Sequence, residues 1–400
     1  MANIHEYLTW RGDVPLSVSP FNEVDGLVLS ELAYASFQGI LTENEERMTI
    51  EEVRRRFWEI HTKEEIMAQD SYTKTAPFLL DGMAGKPRFG GTVMAYYLDV
   101  IDTEEDIQLA AVTFYLPDGT AFAAFRGTDD SVVGWKEDFN LSYMPETEGQ
   151  RRAAQYLNAH FTDHRIPLRV GGHSKGGNLA MYAAICASEE VRKNIVAVYN
   201  NDGPGFLESF TETEAYRDML PRIICTVPEK AVVGTLLTNG AYQHIVKSTA
   251  NGIFQHDGFS WEVLGTHFVE AEGRSDGSVA LESTLHQWLT EQSEEKRRMF
   301  VNTMFGLMEA TGRTTISEIK ANLTGSLLSM WKMLDSMPKE QRETVWNMIM
   351  QFVSAGSDTI LQETRKLILS KLGNIQFTKL NTDPKMDADG LPSEALQEMN

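Results

Sequence analysis

Gly172-His173-Ser174-Lys175-Gly176 stands between a short apolar run, Ile166 to Val170, and a helix-like stretch of small and apolar residues, Asn178 to Ala184. That order reads as a strand, a tight turn and a helix. Glycines two positions before and two after the serine let the backbone turn sharply and lift a hydroxyl out of a sheet edge. A bare G-x-S-x-G occurs often by chance, so the weight comes from the flanking strand and the small-residue helix. The competing reading is a glycine-rich turn with an incidental serine.

The rest of the chain supplies a sheet around that turn. Alternating patterns predict strands at Thr92 to Val100, Ile107 to Leu116 and Ala121 to Arg126, with Pro117-Asp118-Gly119 as the hairpin signal between the last two. A helix-like segment, Glu146 to His160, precedes the Ile166 to Gly171 strand, and further strands are predicted at Ile195 to Tyr199, Arg222 to Val227 and Tyr242 to Val246. An antiparallel meander feeding βα units gives an α/β class: a mainly parallel sheet with helices on both faces.

Outside this region the signals are helical. Asn22 to Phe37 carries Val24, Leu27, Val28 and Leu32 at helical spacing, and Thr49 with Glu52 forms a capping-box pattern for a helix to His61. After about Gly277 the pattern is helical throughout. Met299, Phe300, Met304, Leu307 and Met308 form one stripe. A second helix, capped by Thr315 and Glu318, carries Ile316, Ile319, Leu323, Leu327, Trp331 and Leu334. A third starts near Pro338 with Val345, Met348, Ile349, Phe352 and Val353, and Gly373 can end a fourth. These stripes read as bundle core, with a partner or self-association groove as the alternative. The division expected is 1–90 for N-terminal helices packed on the core, 91–276 for the α/β unit, 277–373 for a helical appendage and 374–400 for a loose tail.

Composition narrows the function classes. Fifty-seven acidic against thirty-six basic side chains give a net charge of −21, which repels phosphate backbones and anionic lipid surfaces, so nucleic acid is not expected as a partner. No segment approaches the apolar length of a membrane span, and Met1 to Tyr7 has neither the basic nor the apolar part of a secretory leader. Cys186 and Cys225 read as small buried hydrophobes rather than a disulfide framework, and a cytoplasmic location is expected. The histidines and cysteines lack ligand spacing for a metal, and no dinucleotide or phosphate-loop fingerprint is present, so no cofactor is expected.

A second motif, Phe125-Arg126-Gly127-Thr128, ends a predicted strand upstream of the elbow. The N–H and hydroxyl of Thr128, with the N–H of Lys175 just after the serine, would supply donors where negative charge develops on an attacked carbonyl oxygen. A serine at its free pKa also needs an imidazole, itself oriented by a carboxylate. His256, in a loop-like stretch after the last predicted strand, is the candidate base; His244, within a strand pattern, and His267 are the substitutes.

Together the two motifs resemble the lipase class 3 branch of the α/β-hydrolases, and in particular an uncharacterised bacterial family of lipase-like proteins. Phe125-Arg126-Gly127-Thr128 followed by Trp135-Lys136-Glu137-Asp138 resembles that branch's RG[ST] … W-x-x-D run, and Leu168 to Ala180 resembles its strand and elbow. The resemblance covers roughly residues 90 to 270. It implies the α/β-hydrolase fold, a Ser, acid, His chain order, an oxyanion hole of Thr128 and Lys175, and a short lid at Asp129 to Asp138. Those lipases usually carry leucine where Lys175 stands, so Lys175 is expected to bring a polar side chain near the mouth. Where their pattern leads to an aspartate, this chain reads Ala231-Val232-Val233-Gly234. The acid is therefore open between Asp202, which ends the strand after the elbow helix and is preferred, and Glu229, which ends the next strand; either can instead be a turn residue. Asp257 is a poor orienter, since neighbouring side chains diverge on an extended segment.

The expectation is a serine hydrolase acting on carboxylic esters, lipid-like ones included, through Ser174, His256 and Asp202. The alternatives are a hydrolase-fold binding or scaffolding protein that has lost its triad, and a thioesterase or acyltransferase using the same groups.

Overall fold

The computed structural model describes residues 2–337 other than 45, 46, 70 and 164. Eight strands form one sheet in chain order: β1 (Arg47–Thr49), β2 (Val93–Asp102), β3 (Ile107–Tyr115), β4 (Ala121–Phe125), β5 (Leu168–His173), β6 (Ile195–Asn201), β7 (Ile223–Pro228) and β8 (Gln243–Val246). The first four pair antiparallel, and β4 through β8 run parallel. The class is α/β, with helices covering the sheet.

Strand β4 shows why both faces are covered. Its sequence, Ala-Phe-Ala-Ala-Phe, is buried throughout. Phe122 and Ala124 enter the core formed with the N-terminal helices Ile4–Arg11, Glu23–Leu32 and Ile50–Ile60. Ala121, Ala123 and Phe125, one step out of phase, enter the core formed with helices Glu148–His160 and Lys175–Cys186. A strand with apolar side chains on both faces belongs in the middle of a three-layer stack.

The sequence pattern locates these strands to within a few residues, and the 117–119 turn closes the β3–β4 hairpin with Gly119 at φ 82°. Other details differ. Strand β1 and the short helix Leu79–Met83 carry no periodic signal long enough to read. Thr49 caps the Ile50–Ile60 helix by accepting from the Glu52 N–H, but it is a one-way cap rather than a reciprocal box. Asn3, Asn22 and Thr62 make the full box instead, each with an acidic residue three positions on. Cys186 is exposed, contrary to expectation, while Cys225 is buried; both are free thiols.

The C-terminal stripe read as one helix from Thr315 is two, Ile316–Ala321 and Leu323–Ser336, separated at Asn322. The helix Glu294–Glu309 packs Phe300, Val301 and Phe305 against Val132 and Tyr143. Part of the stripe thus finds its partner in this same chain. The backbone joins there too: Val132 N–H donates to Thr314 O at 2.8 Å, and Ile316 N–H to Asp130 O at 2.9 Å. The helices expected from Pro338 and up to Gly373, and the tail 374–400, lie outside the described residues. Among the described residues, no helix is long and apolar enough to cross a membrane.

Candidate active site

Parallel register brings three strand ends to one edge. Phe125 on β4 pairs with Gly172 on β5, and His173 on β5 pairs with Asn201 on β6. The residues just beyond, Gly127-Thr128, Ser174 and Asp202, therefore emerge side by side. Ser174 sits between β5 and the Lys175–Cys186 helix at φ 58°, ψ −133°, a backbone conformation that costs a non-glycine residue on the order of 1–3 kcal/mol.

The elbow glycines serve close approach rather than the turn itself. Neither Gly172 nor Gly176 has positive φ; the serine takes that conformation. A Cβ on Gly176 would stand 2.1 Å from Phe125 O, and one on Gly172 would stand 2.3 Å from the Gly176 carbonyl. Gly127 is equally tight, with Tyr34 Oη 2.1 Å from a hypothetical Cβ. Strand end and helix start can only touch without side chains there.

Ser174, His256 and Asp202 meet. The His256 ring has Nε2 at 2.9 Å from Ser174 Oγ and Nδ1 at 2.6 Å from Asp202 Oδ2. His256 ends a short 3₁₀ turn, Gly252–His256, fixed by its neighbours. The Gln255 side chain accepts from Lys230 N–H, and the buried Trp261 donates its indole N–H to Gln255 O. Asp202 is wholly buried, and its second oxygen accepts the Gly234 N–H at 3.0 Å. Burial pushes its carboxyl up, and the bonds from His256 and Gly234 pull against that. The Ala231–Gly234 stretch, which lacks the expected aspartate, instead supplies the donor that holds Asp202.

The other candidates lie elsewhere. Glu229 carries backbone bonds to Val246 and Ser275, and the carboxylate on His256 Nδ1 is that of Asp202. His244 on β8 and His267 on the short strand His267–Phe268 are exposed. Asp257 turns its side chain to the Phe259 N–H.

Lys175 corrects the expectation of a polar side chain at the mouth. It is 1% exposed and points beneath the elbow, where Nζ donates to Glu137 Oε2 at 2.8 Å, to Gln108 O at 2.7 Å and to Gln108 Oε1 at 2.6 Å. Its backbone N–H is the first of the helix that follows Ser174. Thr128 donates its hydroxyl to Asp138 Oδ2 at 2.5 Å. Burial raises the Asp138 carboxyl to about 6, against the opposing pull of Lys175 and the Thr128 bond.

The 129–138 stretch is likewise more fixed than a free lid. It is helical from Val132 to Asn140, with Val132, Val133 and Glu137 buried, and the C-terminal helices and Lys175 hold it from two sides. Sequence reasoning missed Glu137 as a partner. A lysine inside an otherwise apolar elbow helix was the available signal, because a buried ammonium requires an acid. His173, Tyr34 and Glu31, packed behind His256, were also missed.

A family model described as Mbeg1-like matches residues 83–306. No curated protein matches the chain.

Proposed function

We propose that this chain, which belongs to the lipase-like Mbeg1-like family, is a serine hydrolase of α/β-hydrolase fold that cleaves carboxylic esters, lipid-like ones included, through an acyl-enzyme on Ser174. One observation carries the proposal: a single imidazole is bonded to Ser174 Oγ on one nitrogen and to the buried Asp202 on the other.

A carboxylate only accepts, so Asp202 keeps the proton on Nδ1 and leaves the Nε2 lone pair facing Ser174. As Oγ attacks the ester carbonyl, Nε2 takes its proton and then returns it to the leaving alcohol. Asp202 stabilises the imidazolium between those steps. Water, activated by the same nitrogen, releases the acid. The charge on the tetrahedral oxygen falls to the N–H groups of Lys175 and Thr128, the former at a helix N-terminus whose dipole favours an anion. With Asp138 ionised, the Thr128 hydroxyl is turned toward it. With Asp138 protonated, the carboxyl can donate to Thr128 Oγ and free that hydroxyl for the oxyanion.

The binding-protein reading rests on Ala231, standing where an acid was expected, and on the C-terminal helical appendage; Asp202 at His256 speaks against the first of these. A thioesterase or acyltransferase uses the same groups. The test is a serine-directed fluorophosphonate, followed by p-nitrophenyl esters of short and long chain and a matched thioester. The wild type should be labelled and turn esters over, and Ser174→Ala should do neither. Equal labelling of both proteins overturns the assignment.

A further inference from the structure

His173 takes no part in the proton transfer above, yet it is buried between the elbow, the Glu23–Leu32 helix and the loop that carries His256. Its Nε2 lies 2.7 Å from the His256 backbone oxygen, and its Nδ1 lies 3.0 Å from Tyr34 Oη. A carbonyl has no proton to give, so Nε2 carries the hydrogen and Nδ1 must accept from the Tyr34 hydroxyl. Tyr34 Oη also stands against Gly127, where a Cβ would come within 2.1 Å of it. The His173 tautomer is thereby assigned.

The surroundings keep it that way. Burial holds the His173 imidazole well below its ordinary value, so the ring is neutral. Glu31, whose carboxyl is 3.5 Å from Nδ1, is wholly buried with neither oxygen hydrogen-bonded; desolvation, with Asp257 adding to it, pushes it well above the usual carboxylate range. A neutral ring, with Glu31 pushed toward its neutral form, places no cation against His256. The two imidazoles lie with centroids 4.7 Å apart, where a cationic His173 would disfavour the imidazolium that catalysis forms on His256.

We infer that His173 is a positioning residue for His256. By holding the backbone carbonyl of the proposed base, and being held itself by Tyr34, it fixes the main chain from which the imidazole projects, while Asp202 fixes the ring. The relay runs from Tyr34, whose hydroxyl stands against Gly127, through His173 to His256. The inference rests on the ester-hydrolase reading of Ser174, His256 and Asp202. It goes beyond that reading because it assigns a second histidine, adjacent to the nucleophile, to the alignment of the first.

The experiment compares wild type, Ser174→Ala, His173→Leu, His173→Gln and Tyr34→Phe by fluorophosphonate labelling rate and by kcat and KM on one p-nitrophenyl ester. His173→Leu should lower the labelling rate and kcat about 10- to 100-fold with KM within about twofold, the scale of a sub-ångström misalignment. His173→Gln, whose amide N–H can reach the same carbonyl, should recover to within about fivefold of wild type. Should His173→Leu not fold, Tyr34→Phe keeps the ring packing and removes the donor to Nδ1; a kcat loss of about 3- to 10-fold at unchanged KM is then expected. Wild-type kcat in His173→Leu, or in Tyr34→Phe if that variant carries the test, overturns the inference alone, as does a Gln variant no faster than Leu. An unlabelled wild type overturns the ester-hydrolase reading, and this inference with it.

Discussion

Lys175→Met separates a lysine at the mouth from a lysine in the foundation. The substitution keeps chain length and helix propensity and deletes only the ammonium. In the structure that ammonium satisfies Glu137 Oε2, Gln108 O and Gln108 Oε1 at 2.6–2.8 Å, and the side chains of Lys175 and Glu137 are each 1% exposed. A rim lysine would cost within about 0.5 kcal/mol. Removing one partner of a buried pair costs about 3–5 kcal/mol, because the remaining charge is left uncompensated. Glu137 retains donors from Gln108 N–H, Gly149 N–H and the Thr147 hydroxyl, which puts the expectation at the lower end, about 3 kcal/mol. For a folding unit of this size that corresponds to a Tm drop of roughly 6–10 °C.

Urea denaturation of wild type, Lys175→Met, Glu137→Gln and the double variant measures it. The two single losses should exceed the double-variant loss by about 2 kcal/mol, since the second substitution removes a charge already stranded. A Lys175→Met loss under about 1 kcal/mol, or strict additivity, refutes the buried-pair argument.

Two further outcomes follow from the site. Asp202→Asn should lower kcat about 10³- to 10⁴-fold with circular dichroism unchanged, because an amide N–H facing Nδ1 favours the wrong tautomer; a loss under tenfold in steady-state ester hydrolysis would mean that another carboxylate serves the ring. Asp138, raised to about 6 from 3.8 by burial, binds its proton more tightly folded than unfolded, so its contribution is intact below pH 4 and is lost as pH rises through 6. Thermal melts should therefore show wild type losing about 2 kcal/mol relative to Asp138→Asn between pH 4 and 6.5, and parallel curves would refute it.

The legible parts of the chain were those whose cause is local. Alternation in Ala121–Phe125 and the strand, glycine and helix around Ser174 are each set by a dozen residues. Chain order and loop position pointed to His256, while two strand ends, Asp202 and Glu229, competed for the acid and the family resemblance tipped the preference to Asp202. What could not be read depends on neighbours distant in sequence. The direction of the Lys175 side chain is decided by Glu137 and Gln108. The fastening of 130–132 depends on Thr314 and Ile316. The role of His173 appears only when Tyr34 is brought 139 positions back to it. The Trp135-Lys136-Glu137-Asp138 run held both missing acids. Glu137 pairs beneath the elbow and Asp138 takes the Thr128 hydroxyl, so neighbouring carboxylates on one helix divide foundation from oxyanion side.

The choice of acid has a backbone reason as well. Asp202 sits at φ 51°, one of five non-glycine residues with positive φ among the described residues, and Ser174 at φ 58° is another. Aspartate tolerates that region better than glutamate because its short side chain can bond locally. Here the carboxylate bonds across to the Gly234 N–H of a later loop, where a Cβ on residue 234 would stand 2.2 Å from Oδ1. A turn residue and a triad acid were competing descriptions of Asp202, but they require the same thing. The chain leaves β6 through a left-handed turn that swings the carboxylate back over the sheet edge, toward the ring that Ser174 also faces. Glu229 ends β7 without positive φ, and its backbone runs on to pair with Val246 and Ser275. Positive φ at Asp202 and its absence at Glu229 set the two strand ends apart, and the carboxylate at His256 Nδ1 is that of Asp202.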